Sequence, residues 1–273
     1  MHKTVVLLFV FSLFSCRSQT QNQFIKPQGK TLKERILPPH AFVRIQDSST
    51  KYDDFFRSMP MKPHGSKVLL FNGNSKTPDN VYEAVLDYDI GKKDLQQCAD
   101  AVMRLRAEYL YNTLQFEKIH FNFTNGTKAE YVKYAEGYRF QLKTNSWVKT
   151  NSVDYTYETF RNYLDLVYTY AGSLSLSKEL VPVKSINDIK PGDVFIKGGS
   201  PGHAVTVIDV VKNPSTNAIF FLLAQSYMPA QSIHVLKNFN SEIISPWYST
   251  NFGETLKTPE WTFSKNELMR FKD

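Results

Sequence analysis

Three residues of the right types for nucleophilic chemistry occur in the order Cys98, His203, Gln225. A cysteine attacks as the thiolate, so it needs a base, an electropositive setting, or both. Cys98 opens the run Cys98-Ala99-Asp100-Ala101-Val102-Met103-Arg104-Leu105, whose residues are mostly strong helix formers. Apolar residues at 98, 101, 102, 105 and 109 form one stripe at helical spacing. Asp94 with Gln97 reads as an N-cap and capping box. Cys98 therefore falls in a first helical turn, where unpaired amides favour a thiolate and can receive an oxyanion. A free cysteine on a buried stripe is also an ordinary small hydrophobe, so the helix alone leaves both readings open.

The candidate base lies on a hairpin. Pro191-Gly192-Asp193 is a turn, and Val194-Phe195-Ile196 follows it as a short apolar strand. A second turn, Gly198-Gly199-Ser200-Pro201-Gly202, delivers His203 to the head of a β-branched strand, Ala204 to Val211. Asn213-Pro214-Ser215 turns the chain into a third strand, Ala218 to Ala224, which ends on Gln225. With that turn centred near Pro214, His203 falls opposite Gln225 or Ser226, and opposed Cβ atoms lie roughly 4.5–5.5 Å apart. Asp209 shares the His203 face by parity but sits about 20 Å along the strand. Gln225 is thus the expected orienting partner of His203. A histidine satisfied by a backbone carbonyl is the plainer alternative.

The N-terminus has the pattern of an export leader. A basic start, an apolar run over Val5 to Phe14 too short to span a bilayer, and Leu13-Phe14-Ser15-Cys16 follow in order. Leu13-Phe14-Ser15-Cys16 resembles the lipobox of bacterial lipoproteins. That resemblance implies a leader over 1–15, a lipid on Cys16 as the membrane contact, and residence in the cell envelope. With Cys16 so used, Cys98 remains as a single free thiol. Residues 16–39, polar and rich in Gln, Lys, Ser and Pro, read as a flexible tether. Residues 40–273 read as one domain. The 42% hydrophobic and 14% aromatic content marks it as globular. Expected elements include a strand at 41–45, a helix at 52–59, strands at 68–71 and 81–88, and an amphipathic helix at 155–171. His234 alternates with apolar neighbours and reads as a surface residue. A formal charge of +7 is modest and evenly spread, which suits an anionic envelope surface and argues against nucleic acid.

Cysteine at a helix start, a Gly-Asp strand, Gly-His opening a hairpin and a polar residue ending the next strand form a specific order. The pieces are Gln97-Cys98-Ala99, Pro191-Gly192-Asp193-Val194, Gly202-His203-Ala204-Val205 and the Gln225 strand end. They resemble papain-like cysteine amidases of the CHAP and NlpC types, which cleave peptidoglycan stem peptides and related amides. The whole chain also resembles an uncharacterised family of bacterial lipoproteins carrying QCADAVMRLRAEYL and LLAQSYMPAQ, from which no activity carries over. The amidase resemblance implies an α+β, papain-like fold: a central antiparallel sheet packed on the Cys98 helix, an N-terminal elaboration and a catalytic-like core over about 90–236. It implies Cys98 as nucleophile, His203 as general base and Gln225 as orienting residue. Gln departs from the Glu, Asn or His more common there, and the long Cys98–His203 spacing requires an insertion over 120–180.

Gln97, Tyr227, Met228 and Gln231 are the expected substrate contacts, the last three on a loop just past Gln225. Gly198-Gly199-Ser200-Pro201-Gly202 matches a serine-hydrolase elbow by letter, but a proline and a strand follow the serine where a helix is needed. The six histidines show no metal spacing, and neither metal nor cofactor is expected. Two functions remain. One is hydrolysis of an amide of peptidoglycan or a related envelope polymer by the cysteine. The other is a catalytically silent lipoprotein binding peptide or glycan in the same cleft.

Overall fold

The structure is a computed structural model that describes residues 22–46 and 51–272. The leader and Cys16 lie outside the described residues. A nine-stranded, wholly antiparallel sheet forms the centre. Its order is Tyr82–Val85, His234–Leu236, Ile219–Gln225, His203–Lys212, Val194–Lys197, Leu268–Phe271 and Leu180–Pro182. Val43–Arg44 pairs with the far end of the histidine strand, and Tyr248–Ser249 with the far end of the glutamine strand. The chain is thus a mixed α+β fold built on a large antiparallel sheet.

His203–Lys212 is central and buried along both faces, which accounts for its near-continuous run of Ala, Val and Ile. Alternation divides its side chains between two cores. Ala204 and Ile208 face the helices, with Cys98, Val102 and Leu105 in that core. Val205 and Val207 face the other way, toward Leu256 and Phe263 of a small hairpin formed by Thr255–Lys257 and Thr262–Ser264.

The cysteine helix, Cys98–Asn112, is more deeply enclosed than its apolar stripe implies: every side chain from Cys98 to Leu110 is buried, charged ones included. The 120–180 insertion accounts for this by covering the outer face. Its helix Tyr157–Tyr170 begins at Thr156, whose hydroxyl caps the Thr159 amide. From it, Tyr157 accepts from Arg104 at 3.0 Å and donates to Glu108 at 2.6 Å, while Arg104 and Glu108 pair with each other at 2.6 Å. Removing either charge would strand the other in the interior.

The tether expected over 16–39 does not reach that far. Phe24, Ile25, Leu32, Arg35 and Ile36 are buried, Ile25 bridges Ile36, and Arg35 donates to the Gly29 carbonyl. Apolar residues spaced among Lys, Gln and Pro were enough to seat this segment on the core, although they are too sparse to show a period. Residues 68–71 likewise form isolated bridges, Leu69 with Ser75 and Leu70 with Gln231, instead of a strand. Among the described residues no helix is long and apolar enough to cross a membrane.

Candidate functional site

The site is built where the cysteine helix meets the first residues of the histidine strand. Gln97, not Asp94, is the N-cap, and its amide donates to Asp100 Oδ2 at 2.9 Å. Asp94 has a different task. Its Oδ1 accepts from Gln97 Nε2 at 3.1 Å and from the Ala230 amide at 2.7 Å, tying the helix start to the loop after Gln225. Ser226 reinforces the tie by donating to the carbonyls of Gln96 and Gln231.

Cys98 is therefore the first helical residue, 8% exposed. Backbone amides of Ala204, Ala99 and Cys98 itself favour its thiolate, but burial outweighs them and pushes the thiol above its ordinary pKa, with Asp100 adding to the rise. Asp100 is itself driven up to about 8 by desolvation. The Ala204 amide belongs to the residue next to His203, which ties the thiol to the head of the histidine strand. Tyr227 lies close enough to sense the thiolate charge and sets its ring against His203 with centroids 4.9 Å apart.

His203 is 2% exposed and lies against Trp261 and Phe263, at 5.2 and 5.9 Å between ring centroids. Its Nε2 contacts Gln225 Oε1 at 2.8 Å. Burial brings its pKa down to about 4; the Gln225 contact works against that fall and Lys76 adds to it. In the free protein at neutral pH the thiol and imidazole are both uncharged.

The Gln225 contact forms in a register other than the expected one. Ala224 pairs with Thr206, so Gln225 lies diagonally from His203, two positions along the strand, and not directly opposite. The long amide side chain spans the diagonal. The register is also interrupted between Leu222 and Leu223, whose partners are Asp209 and Val207. Ile208 is thereby an extra residue, and this bulge reverses the alternation. Asp209 consequently does not share the His203 face. It points into the helical layer, fully buried, holding Arg44 at 2.6 Å and Arg57 at 2.9 Å.

Glu260 and Lys76, which the sequence did not single out, complete the cluster together with His234. Gln225 Nε2 donates to Glu260 Oε2 at 2.7 Å and lies 3.4 Å from His234 Nε2. The other Glu260 oxygen accepts from Lys76 at 2.6 Å. His234 is no surface residue: it is fully buried directly opposite Gln225, and burial lowers its pKa to about 3. Glu260 comes from the tip of the C-terminal hairpin, where it follows Pro259 in no recognisable motif; only the neighbouring Trp261 and Phe263 hint at a buried contact.

The expected substrate contacts divide. Tyr227 is half-buried at the edge of the site and Met228 is 59% exposed. Gln97 is spent on Asp94. Gln231 is 1% exposed with its Nε2 on the Pro229 carbonyl, so a ligand would reach it only after that loop opens. The glycine turn before His203 is a packing device. A Cβ on Gly198 would lie 2.2 Å from Ser177 Oγ, and one on Gly202 would lie 2.4 Å from the Gly199 carbonyl. Among the described residues no group of three or more His, Cys, Asp or Glu is arranged to hold a metal ion.

Comparison with curated proteins and with solved structures gave no match. A family model described as "Domain of unknown function (4846)" matches residues 32–270, starting inside the segment that is packed where a tether was expected, and the chain belongs to that family.

Proposed function

We propose that the protein is a cell-envelope lipoprotein with a papain-like cysteine site that hydrolyses an amide, in peptidoglycan stem peptides or a related envelope polymer. Two observations support this reading: a helix-start thiol whose thiolate the Ala204 amide favours, and, one residue before Ala204, an imidazole whose Nε2 contacts a side-chain oxygen at 2.8 Å. An amide oxygen only accepts, so His203 Nε2 keeps its proton and Nδ1 is the basic nitrogen.

The chemistry follows from those positions. Cys98 Sγ attacks the substrate carbonyl carbon while its proton passes to His203 Nδ1, and the carbonyl electrons move to oxygen. Amides at the helix start receive that oxyanion. The oxyanion collapses, His203 protonates the departing nitrogen, and an acyl thioester remains on Cys98. Water then attacks the thioester with His203 again as base, releasing the acid and restoring the thiol. Because the resting pair is neutral, proton transfer accompanies attack instead of preceding it. Tyr227, Met228 and Trp261 form the side of the site from which a substrate would approach.

The lipid on Cys16 would keep this site at the membrane. Few residues separate Cys16 from the packed Phe24, so they lift the domain no more than about 30 Å. A second reading has its own support: a thiol that is 8% exposed and raised by burial also suits a silent site that binds peptide or glycan. Incubation of purified protein with peptidoglycan fragments separates the two. Release of new amino groups by the wild type and not by Cys98→Ala supports hydrolysis. Equal release by both removes Cys98 as nucleophile, and binding without release by either favours the silent site.

A further inference from the structure

We propose that Glu260, with His234, acts as an orientation lock on Gln225 and thereby fixes which nitrogen of His203 is basic. The tautomer consequence is independent of the hydrolase reading; its consequence for rate rests on it.

The argument is a donor-and-acceptor count across three adjacent strands and the hairpin tip. The Ser232 carbonyl lies 2.8 Å from His234 Nδ1 and can only accept, so that nitrogen carries the proton. His234 Nε2 is then an acceptor, 3.4 Å from Gln225 Nε2. Glu260 Oε2 is a second acceptor, 2.7 Å from the same nitrogen. Both amide hydrogens of Gln225 therefore have acceptors, and no other orientation of the amide satisfies the cluster. Turning it over would set its oxygen against a carboxylate oxygen and an imidazole lone pair. The oxygen this orientation presents to His203 is Gln225 Oε1, at 2.8 Å, and it demands a proton on Nε2. His203 Nδ1 is left with the lone pair a thiol proton requires.

Lys76 has its place in this lock. Its ammonium, itself buried, holds the second Glu260 oxygen at 2.6 Å and lies 5.1 Å from the centre of the Tyr227 ring. Leu256 and Phe263, on the two strands of the hairpin, are buried in the second core and fix where the Glu260 tip falls. Glu260 touches neither Cys98 nor a substrate; it is a positioning residue that acts through Gln225. An uncharged Gln thus occupies the orienting position while the negative charge stands one residue further out. The imidazole is thereby oriented without being held beside a carboxylate.

The test reads the tautomers directly. Long-range 1H–15N NMR on the full chain in detergent, with 15N-labelled histidine, should show His203 protonated on Nε2 and His234 on Nδ1. Wild-type protein suffices for this arm, so it stands whether or not a variant folds. In Glu260→Ala, His203 should become a mixture of tautomers and Cys98 alkylation should slow by about 10- to 100-fold, the scale of losing a positioning contact. Glu260→Gln keeps an accepting oxygen and should recover part of that loss. A wild-type His203 protonated on Nδ1 overturns the lock, as does a folded Glu260→Ala variant with unchanged tautomer and rate. Failure to detect hydrolysis while the tautomers behave as stated would sink the hydrolase reading and leave the lock standing. Cys98-dependent hydrolysis indifferent to Glu260→Ala would do the reverse.

Discussion

Gln225→Ala and Asp209→Asn form a pair of variants whose effects should cross, because the Ile208 bulge places the two residues on opposite faces of the sheet. Gln225→Ala removes the acceptor of the His203 proton and strands a Glu260 oxygen, each loss worth about 1–3 kcal/mol of stability. Its larger signature is kinetic. With the imidazole no longer held in one tautomer, His203-assisted alkylation of Cys98 should fall about 10- to 100-fold, equivalent to about 1.4–2.7 kcal/mol of barrier. Asp209→Asn instead weakens a buried carboxylate that holds Arg44 and Arg57 at 2.6 and 2.9 Å. Breaking such a cluster costs about 3–5 kcal/mol, and the retained amide oxygen puts this case near the lower end. Its Cys98 chemistry should be close to wild type. The assay is iodoacetamide trapping followed by mass spectrometry, beside urea unfolding of the same samples. A folded Asp209→Asn variant that slows alkylation as much as Gln225→Ala would refute the assignment of faces and the role of Gln225.

Other outcomes follow from the same geometry. Asp100 has its carboxyl raised to about 8 by burial, so the folded state binds more protons than the unfolded one between about pH 4 and 8. Its contribution is complete below pH 4 and is lost as pH rises through 8; Asp100→Asn should gain in melting temperature relative to wild type between pH 5 and pH 8. His203 and His234, lowered by burial to about 4 and 3, have the opposite sign. Their contribution is present above about pH 6.5 and declines as acid protonates the unfolded chain first, which unfolding titrations of His234→Gln should show as a weaker loss toward pH 4. Gly202→Ala must move the Gly199 carbonyl or Ser173, whose oxygens would lie 2.4 Å from the new carbon. It should cost about 1–3 kcal/mol in urea unfolding and slow Cys98 alkylation by displacing His203. If the proposed lipid on Cys16 is the anchor, Cys16→Ser should move the protein from the membrane to the soluble fraction with an unchanged melting temperature; membrane retention would point to another anchor.

Much of the site was legible because its signals are local. The Cys98 helix shows its period, and the glycine turns and β-branched run around His203 show a hairpin. The turn near Pro214 brings the Gln225 end of one strand beside the His203 end of the other, although their shared face depends on the bulge. What was not legible depends on residues far apart in sequence. The Ile208 bulge has no marker in a run of Val and Ile, so the side on which Asp209 emerges could not be read. His234 alternates with apolar residues exactly as a surface residue would, and only the neighbouring strands bury it. Glu260 sits in a short turn whose placement depends on Leu256 and Phe263 finding the second core. The burial of Arg104 and Glu108 follows from the insertion lying over their helix, which a single helical stripe does not reveal. At the N-terminus, scattered apolar residues such as Phe24 and Leu32 sufficed to dock a segment whose composition is that of a tether.

The most direct test of the central claim is the reaction of the folded protein with an electrophilic peptide amide analogue, followed by mass spectrometry of the intact chain. A cysteine site of this kind predicts one adduct, on Cys98, formed under native conditions and slowed strongly in His203→Ala. Adduct formation at the same rate in folded His203→Ala, or only after denaturant exposes Cys98, would contradict it.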